Sequence, residues 1–257
     1  MLIVISPAKT LDFETSSPTK KFTQPELLEH SEGLIGYLKK LKKDDVANLM
    51  DLSDALAILN YERFQTWKTP FTDKNAKAAL FAFKGDVYEG LAADDFKETD
   101  CTFAQKHLCM LSGLYGVLRA LDLIQPYRLE MGTHLQTHAG KTLYDFWGDK
   151  ITTQLNTYTK TAKTDVLVNL ASQEYFKAIK PKLLKAEIIT PIFKDYQQGS
   201  YKTVGLFAKR ARGMMSRFII KNRLTNVNAI KDFTDGSYAF NVKLSNHSDW
   251  VFTRKQG

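Results

Sequence analysis

The chain has 257 residues, of which 44% are hydrophobic and 25% are charged, and its formal net charge is +8. These values are typical of a globular protein and exclude a disordered chain, a collagen-like chain and a small disulfide-held scaffold. No apolar run approaches the ~20 residues of a membrane span, and the start, MLIVISPAKT, lacks the basic region of a signal peptide. Because the only cysteines are Cys101 and Cys109, we expect a cytoplasmic location and no disulfide-linked partner.

Strand and helix patterns alternate irregularly in the first half of the chain. Apolar runs predict strands, and apolar residues at helical spacing after proline or serine predict helices. The predicted strands are Leu2–Ile5, Phe81–Phe83 and Leu108–Leu111. Four helices are predicted: one that starts at Pro25, one over Val46–Met50, one that follows Ser53 as its N-cap, and one over Asp73–Leu80.

The second half continues the same mixture. The patterns predict helices over Thr142–Tyr158, Gln173–Ile179 and Lys209–Leu224, a buried strand over Val166–Leu170, a hairpin of Glu187–Phe193 with Tyr201–Phe207, and a strand pair of Tyr238–Leu244 with Trp250–Thr253. There is no internal repeat and no Pro/Ser-rich linker. We therefore predict one α+β domain over residues 1–257, with a mixed β-sheet and surrounding helices.

The positive charge is concentrated at the C-terminal end. Residues 201–257 hold eleven basic and three acidic residues, a difference equal to the whole net charge of +8. Between Asp195 and Asp232 there are eight basic residues and no acidic one. Such a stretch attracts polyanions, although a solvated basic face without a partner gives the same pattern.

The predicted helix over Lys209–Leu224 carries most of this charge. At 100° per residue, one side of the helix is apolar and packs on the protein, and the other carries six cations with no carboxylate to neutralise them. The six are Lys209, Arg210, Arg212, Arg217, Lys221 and Arg223. Gly213 and Ser216 lie within the basic arc and allow a phosphate backbone to approach. We interpret this face as a site for nucleic-acid phosphates, with an exposed amphipathic helix as the alternative.

Residues 44–64 predict two short helices joined at Asp51-Leu52-Ser53-Asp54. A helix-hairpin-helix element uses such a pair to present backbone N–H groups to a DNA phosphate, and Ser53 caps the second helix here. The turn lacks the usual glycine, and Asp51 and Asp54 repel phosphate. An ordinary helical hairpin is therefore the competing interpretation.

Polar turns after predicted strands give a different candidate site. Six of their residues supply the groups of a polar cleft: Ser6, Lys9, Lys84, Asp86, Arg128 and Glu130. In this alternative the protein is an enzyme acting on a nucleotide or nucleic acid. Asp86 and Glu130 then act as acid and base, and Lys9 and Arg128 hold an anion. Each turn alone is more often structural.

A metal site finds little support in the sequence. His134 and His138 are four residues apart, but no carboxylate at helical spacing completes a ligand set. Direct iron sequestration is a third hypothesis, for which no ligand set can be assembled. We therefore expect no metal and no cofactor.

Several long blocks of sequence resemble one family throughout residues 1–224. They include MLIVISPAKTLDF, LFAFKGDVYEGL, LSGLYGVLRALDLIQPYRLEMGTHL, VLVNLASQEYFKAIKP and FAKRARGMMSRFIIKNRLT. Blocks of this length are far more specific than a short motif. The chain is similar to the YaaA family of bacterial peroxide-stress resistance proteins.

This resemblance implies a function that composition and spacing do not. The family is associated with survival of hydrogen peroxide, by keeping reactive intracellular iron low and limiting oxidative damage. It implies an unusual α/β architecture with a positively charged cleft, a helix-hairpin-helix element, and binding of double-stranded and branched DNA. No catalytic reaction comes with the family. We therefore expect a DNA-binding stress protein, contacting DNA through the six cations and Ser53.

Overall fold

Buried apolar runs build the centre of a mixed sheet in the computed structural model of the chain, which describes residues 1–255. Eight strands form this sheet, and two separate pairs of short strands lie outside it. The strands are β1 (Leu2–Ile5), β2 (Thr10–Leu11), β3 (Lys77–Ala78), β4 (Phe83–Lys84), β5 (Leu108–Ser112), β6 (Gly116–Arg119), β7 (Leu123–Ile124), β8 (Val166–Leu170), β9 (Glu187–Gln197), β10 (Ser200–Lys202), β11 (Ala239–Phe240) and β12 (Asp249–Arg254).

The strand order is β11-β12-β9-β8-β1-β5-β6, and β10 pairs with β9 outside this path. The five strands from β12 to β5 are parallel, whereas β6, β10 and β11 are antiparallel to their partners. Strands β1 and β5 are buried along their whole length, as expected for parallel strands covered on both faces. The predicted α+β class with a mixed sheet is confirmed.

Helices cover the sheet and connect its strands. They are α1 (Leu28–Leu38), α2 (Lys43–Met50), α3 (Asp54–Thr66), α4 (Ala79–Ala82), α5 (Asp86–Leu91), α6 (Glu98–His107), α7 (Leu143–Trp147), α8 (Lys150–Ala162), α9 (Gln173–Phe176) and α10 (Gly205–Lys221). Short 3-10 helices lie at Ala93–Asp95, Pro181–Leu183, Val227–Asp232, Asp235–Ser237 and Val242–Leu244. None of the helices in the described part combines the length and apolarity that crossing a bilayer requires.

Most predicted elements are present, but several differ from the prediction. Residues 205–207 of the expected strand Tyr201–Phe207 belong to helix α10, which ends at Lys221 and not at Leu224. The end of the expected strand Tyr238–Leu244 is the 3-10 helix Val242–Leu244. The helix expected over Thr142–Tyr158 is two helices, α7 and α8, because Gly148 takes a left-handed φ of 49° between them. The helix expected over Asp73–Leu80 is wrong, since this segment contains strand β3 and only the start of α4. Likewise, the predicted strand Phe81–Phe83 is mostly helix α4.

Helix α10 packs on α5 with the two backbones almost in contact. A Cβ placed on Gly213 of α10 would lie 1.8 Å from the carbonyl oxygen of Val87, and one on Gly90 of α5 would lie 2.1 Å from that of Arg210. Only glycine allows so close an approach. This contact fixes α10 beside the start of α5, and it therefore sets the position of the basic helix.

Candidate functional site

The candidate site lies where the two central strands of the sheet end. Ser6 follows β1 and Ser172 follows β8, and the Ser172 N–H donates a hydrogen bond to the Ser6 Oγ at 2.8 Å. Strands β5 and β6, which follow β1 in this sheet, lie on one side of β1, and the later strands β8, β9 and β12 lie on its other side. The carboxyl edge between β1 and β8 is therefore a topological switch point, the usual ligand position in such sheets.

A cleft of about 470 Å³ opens at this edge. Its lining includes all six residues that the polar-turn hypothesis grouped together: Ser6, Lys9, Lys84, Asp86, Arg128 and Glu130. Ser172, Glu174, Tyr88, Tyr127, Tyr175, Lys209 and Arg212 also line it. The structure thus brings the four residues of the enzyme alternative, Lys9, Asp86, Arg128 and Glu130, into one cleft.

Glu130 lies between two cations. Its carboxylate pairs with the Lys9 Nζ at 2.9 Å and with the Arg128 guanidinium at 3.1 Å. The Nε of Arg128 is buried and has no hydrogen-bond partner among the described residues. A buried N–H donor without an acceptor destabilises the fold, and binding of an acceptor there removes this cost. This part of the cleft therefore combines a neutralised carboxylate with an unsatisfied guanidinium N–H.

Asp86 is the first residue of α5 and lies on the other side of the cleft. It follows Gly85, whose φ of 141° directs the chain from β4 into the helix. The Lys209 Nζ lies 3.9 Å from its carboxylate. Neighbouring Lys84 pairs instead with Asp12 at 3.1 Å, and the hydrogen bond to Asp12 raises the pKa of Lys84.

Buried tyrosines complete the inner wall. The Tyr88 hydroxyl donates to the Ser6 carbonyl at 3.1 Å, and the Tyr127 hydroxyl bonds the Ser112 Oγ at 2.6 Å. Burial raises the pKa of Tyr88 and of Tyr127 well above the ordinary value. These hydroxyls are therefore neutral at physiological pH and act as fixed hydrogen-bonding groups.

Lys209 and Arg212 join the basic helix to this cleft, which helical periodicity alone did not predict. Arg212 has no carboxylate partner among residues 1–255, and burial lowers its pKa. Arg210, one residue after Lys209, is exposed and also lacks one among the described residues. The unpaired guanidiniums of α10 are thus in its first half.

The second half of the basic helix corrects the sequence interpretation. Arg217 donates two hydrogen bonds to the Asp95 carboxylate, at 2.8 and 2.5 Å. Lys221 pairs with Asp95 at 3.3 Å and with Asp100 at 3.1 Å, and Arg223 pairs with Asp100 at 3.0 Å. The expectation that no carboxylate neutralises these cations is wrong, because the acids come from a distant part of the chain.

These ion pairs also change the pKa values of the two carboxylates, Asp95 and Asp100. The hydrogen bond from Arg217 lowers the pKa of Asp95 to about 2. Burial acts to raise the pKa of Asp100, but hydrogen bonds from the Lys97 amide and Lys221 outweigh burial and lower it. Both carboxylates are therefore charged at neutral pH and hold the end of α10, Asp95 against the 3-10 helix Ala93–Asp95 and Asp100 against α6.

Gly213 and Ser216 are also not available to a phosphate. Gly213 is covered by α5, as described above, and Ser216 is fully buried with its hydroxyl donating to the Arg212 carbonyl at 2.9 Å. The predicted approach of a phosphate backbone at these two residues is wrong. They serve the contact between helices.

The predicted helical pair in residues 44–64 is present as α2 and α3. Asp51 takes the left-handed conformation, φ 50°, in the turn between them, where a glycine is usual. Ser53 is the N-cap residue of α3 by backbone geometry, but its side chain makes no capping hydrogen bond and is exposed. The structure shows a helical hairpin, and nothing in it shows the DNA contact predicted for Ser53.

His138, His107 and both cysteines take structural positions. His138 bonds the Tyr37 hydroxyl at 2.9 Å, and His107 bonds the Met1 carbonyl at 2.9 Å. Cys101 and Cys109 are buried free thiols. Across residues 1–255, no three side chains of His, Cys, Asp or Glu are grouped so as to hold a metal ion.

Comparison with known proteins agrees with the resemblance in the sequence blocks. A family described as "Peroxide stress protein YaaA" matches residues 1–244. The chain belongs to the YaaA family of peroxide stress proteins. It is 55% identical to a UPF0246 protein of Teredinibacter turnerae and 56% identical to one of Saccharophagus degradans, in both cases over 100% of each chain. A UPF0246 protein of Cellvibrio japonicus is 53% identical over 100% of this chain and 99% of its own. Membership in the YaaA family supports a role in peroxide stress.

Proposed function

We propose that the protein binds double-stranded or branched DNA in the cytoplasm during peroxide stress and so limits iron-dependent oxidative damage. The observation that carries this proposal is the pair of unneutralised guanidiniums, Arg210 and Arg212, beside a cationic cleft. Five cations and three carboxylates line the cleft. Arginine forks suit phosphate oxygens, and phosphate contacts dominate DNA affinity.

The size of the cleft decides how a duplex would bind. Its 470 Å³ is the volume of a sphere about 10 Å across. A DNA duplex is wider than its own major groove, which measures ~12 Å, so a duplex cannot enter the cleft. A duplex therefore lies across the mouth of the cleft, where the lining residues Lys9, Lys84 and Lys209 are exposed, and where Arg210 follows Lys209 in the chain and is exposed as well. Contacts of this kind position DNA without reading its sequence.

The remaining predicted DNA contacts have competing partners. Arg217, Lys221 and Arg223 are held by Asp95 and Asp100 and must release a carboxylate to reach a phosphate. The α2–α3 hairpin offers a second contact at Ser53, opposed by the charges of its neighbours Asp51 and Asp54. We therefore place the main contact at the first half of α10.

A triple variant, Lys209→Ala with Arg210→Ala and Arg212→Ala, tests this assignment. Each phosphate contact contributes about −0.9 to the slope of log affinity against log salt on duplex DNA. We expect a slope less steep by up to about 2.7 for three lost contacts, measured by fluorescence anisotropy of a labelled duplex.

A matched control removes the same charge elsewhere. Lys160, Lys163 and Lys185 are exposed and lie outside the cleft, so their replacement by alanine should leave the slope within error of the wild type. An unchanged slope in the α10 variant would refute the assignment. Absence of duplex binding by the wild type at low salt would refute DNA binding itself.

The second candidate function is an enzyme acting on a nucleotide or nucleic acid. It is favoured by Asp86 and Glu130 lining one cleft with Lys9 and Arg128. In it, a carboxylate accepts or donates a proton while the cations hold the phosphate. Incubation with nucleotides and DNA, with and without divalent metals, followed by chromatography, tests it. A product absent with Asp86→Asn supports it, and no product with the wild type excludes it.

A further inference from the structure

The β9–β10 hairpin extends beyond the sheet at the same edge as the cleft. Strand β9 pairs with β8 up to Ile189 and then continues to Gln197, supported by β12 and β10. The extension carries two aromatic side chains outside the hydrophobic core, Tyr196 and Tyr201. Neither contributes to the cleft or to the ion pairs of α10.

The two tyrosines form a fixed pair on one face of the hairpin. They are register partners across β9 and β10, so their side chains share a face. Their ring centroids are 5.3 Å apart in an edge-to-face arrangement, and 41% of Tyr196 is exposed. The pair therefore presents an aromatic ring to solvent in a fixed orientation.

The charges around this pair are positive. The Lys255 Nζ lies 5.1 Å from the centroid of the Tyr196 ring, and Lys194 lies on the same face of β9, two residues before Tyr196. The only nearby carboxylate in sequence, Asp195, is fully buried on the opposite face, where it accepts hydrogen bonds from Tyr238 and Arg254. Neither Lys194 nor Lys255 forms an ion pair with a carboxylate of the described residues, so a ligand here meets two rings and two unpaired ammonium groups.

We infer that these four residues, which we name the tyrosine hairpin (Lys194, Tyr196, Tyr201 and Lys255), bind an unpaired stretch of a DNA strand. A base stacks on the exposed tyrosine ring, and the lysines contact the adjoining phosphates. Aromatic rings beside cations are the usual means of holding single strands, since every base has a π-face. This inference rests on the proposed DNA-binding function and adds a preference for DNA with unpaired nucleotides.

The hairpin is also close enough to the first half of α10 to share one DNA molecule with it. Only Thr203 and Val204 separate β10 from α10. Four extended steps and four helical residues place the Cα atoms of Tyr201 and Lys209 at most about 20 Å apart. At 3.4 Å per nucleotide along one strand, this is the length of about six nucleotides.

The test compares three labelled DNAs: a blunt duplex, the same duplex with a thymidine overhang of about eight nucleotides, and the overhang sequence alone. Affinities are measured by anisotropy for the wild type, Tyr196→Ala with Tyr201→Ala, and the matched control Tyr196→Phe with Tyr201→Phe. We expect the wild type to prefer the overhang duplex over the blunt one. The alanine variant should bind the overhang duplex at least about five-fold more weakly while its blunt-duplex affinity is unchanged, and the phenylalanine variant should match the wild type.

The outcomes separate this inference from the proposed function. A wild type that binds blunt and overhang duplexes equally, or an alanine variant that keeps the preference, overturns the tyrosine hairpin and leaves DNA binding standing. A wild type that binds none of the three DNAs overturns both. Equal far-UV circular dichroism spectra of the variants ensure that a loss of affinity reports the side chains.

Discussion

Replacing Gly213 by alanine should destabilise the protein strongly, although alanine is the better helix former. The new Cβ would lie 1.8 Å from the Val87 carbonyl oxygen and 2.7 Å from the Leu91 amide nitrogen. Real Cβ atoms essentially never come closer than 3.0 Å to another heavy atom, so α5 and α10 must move apart by at least about 1.2 Å. Overpacking typically costs 1–3 kcal/mol. Because backbone is the obstacle here and cannot rotate away, we expect about 3 kcal/mol or more.

A matched substitution in α1 isolates the packing effect. Gly33 also lies within a helix, but a Cβ there meets no atom within 4 Å. Gly33→Ala should therefore stabilise the protein by up to about 1 kcal/mol through helix propensity alone. Urea unfolding followed by circular dichroism measures both free energies of unfolding. If Gly213→Ala is as stable as Gly33→Ala, the close contact between α5 and α10 is not as described.

Two further predictions concern charge. The pKa of Asp95 is lowered to about 2 in the fold, so its stabilisation is complete above its unfolded pKa of about 3.9 and is lost as pH falls through about 2. Asp95→Asn should therefore make the free energy of unfolding less dependent on pH over this window. At pH 7 the substitution should cost at most about 1 kcal/mol, because 60% of the Asp95 side chain is exposed. The same pH dependence in Asp95→Asn and the wild type would contradict this prediction. Glu130→Gln leaves Lys9 and Arg128 without their carboxylate and should strengthen duplex binding and steepen its salt dependence. Weaker binding by this variant, measured by anisotropy, would show that DNA does not approach the cleft.

Local patterns were sufficient for most elements of the fold. Strand β1 follows from an uninterrupted apolar run, and β8 from a run broken only by Asn169. The hairpin of β9 with β10 follows from the turn at residues 197–200. Segment 73–83 was misassigned because its short elements owe their state to distant partners. There β3 pairs with β7, and α4 is buried on all sides by the rest of the core.

Six polar residues of the cleft were predictable from the sequence, but the tyrosines, the approach of Lys209 and Arg212 and the ion pairs of α10 were not. The turns after β1 and β8 meet in the cleft because parallel strands end at a common edge. Lys84 and Asp86 lie at the end of β4, and Arg128 and Glu130 follow β7. These are short strands outside the main sheet, and the tertiary fold brings the four residues to the same edge. The partners of Arg217, Lys221 and Arg223 lie more than 120 residues earlier in the chain. A helical wheel contains no such information, and it therefore presented a half-neutralised helix as a free basic face.

The contact between α5 and α10 has a consequence for redesign of the cleft. Both helices contribute lining residues, Asp86 from one and Lys209 and Arg212 from the other, while main-chain atoms hold the helices together. The aperture of the cleft is therefore independent of the side chains that border it. An engineer can exchange those side chains to suit a different anion, or a neutral molecule, and retain the same opening.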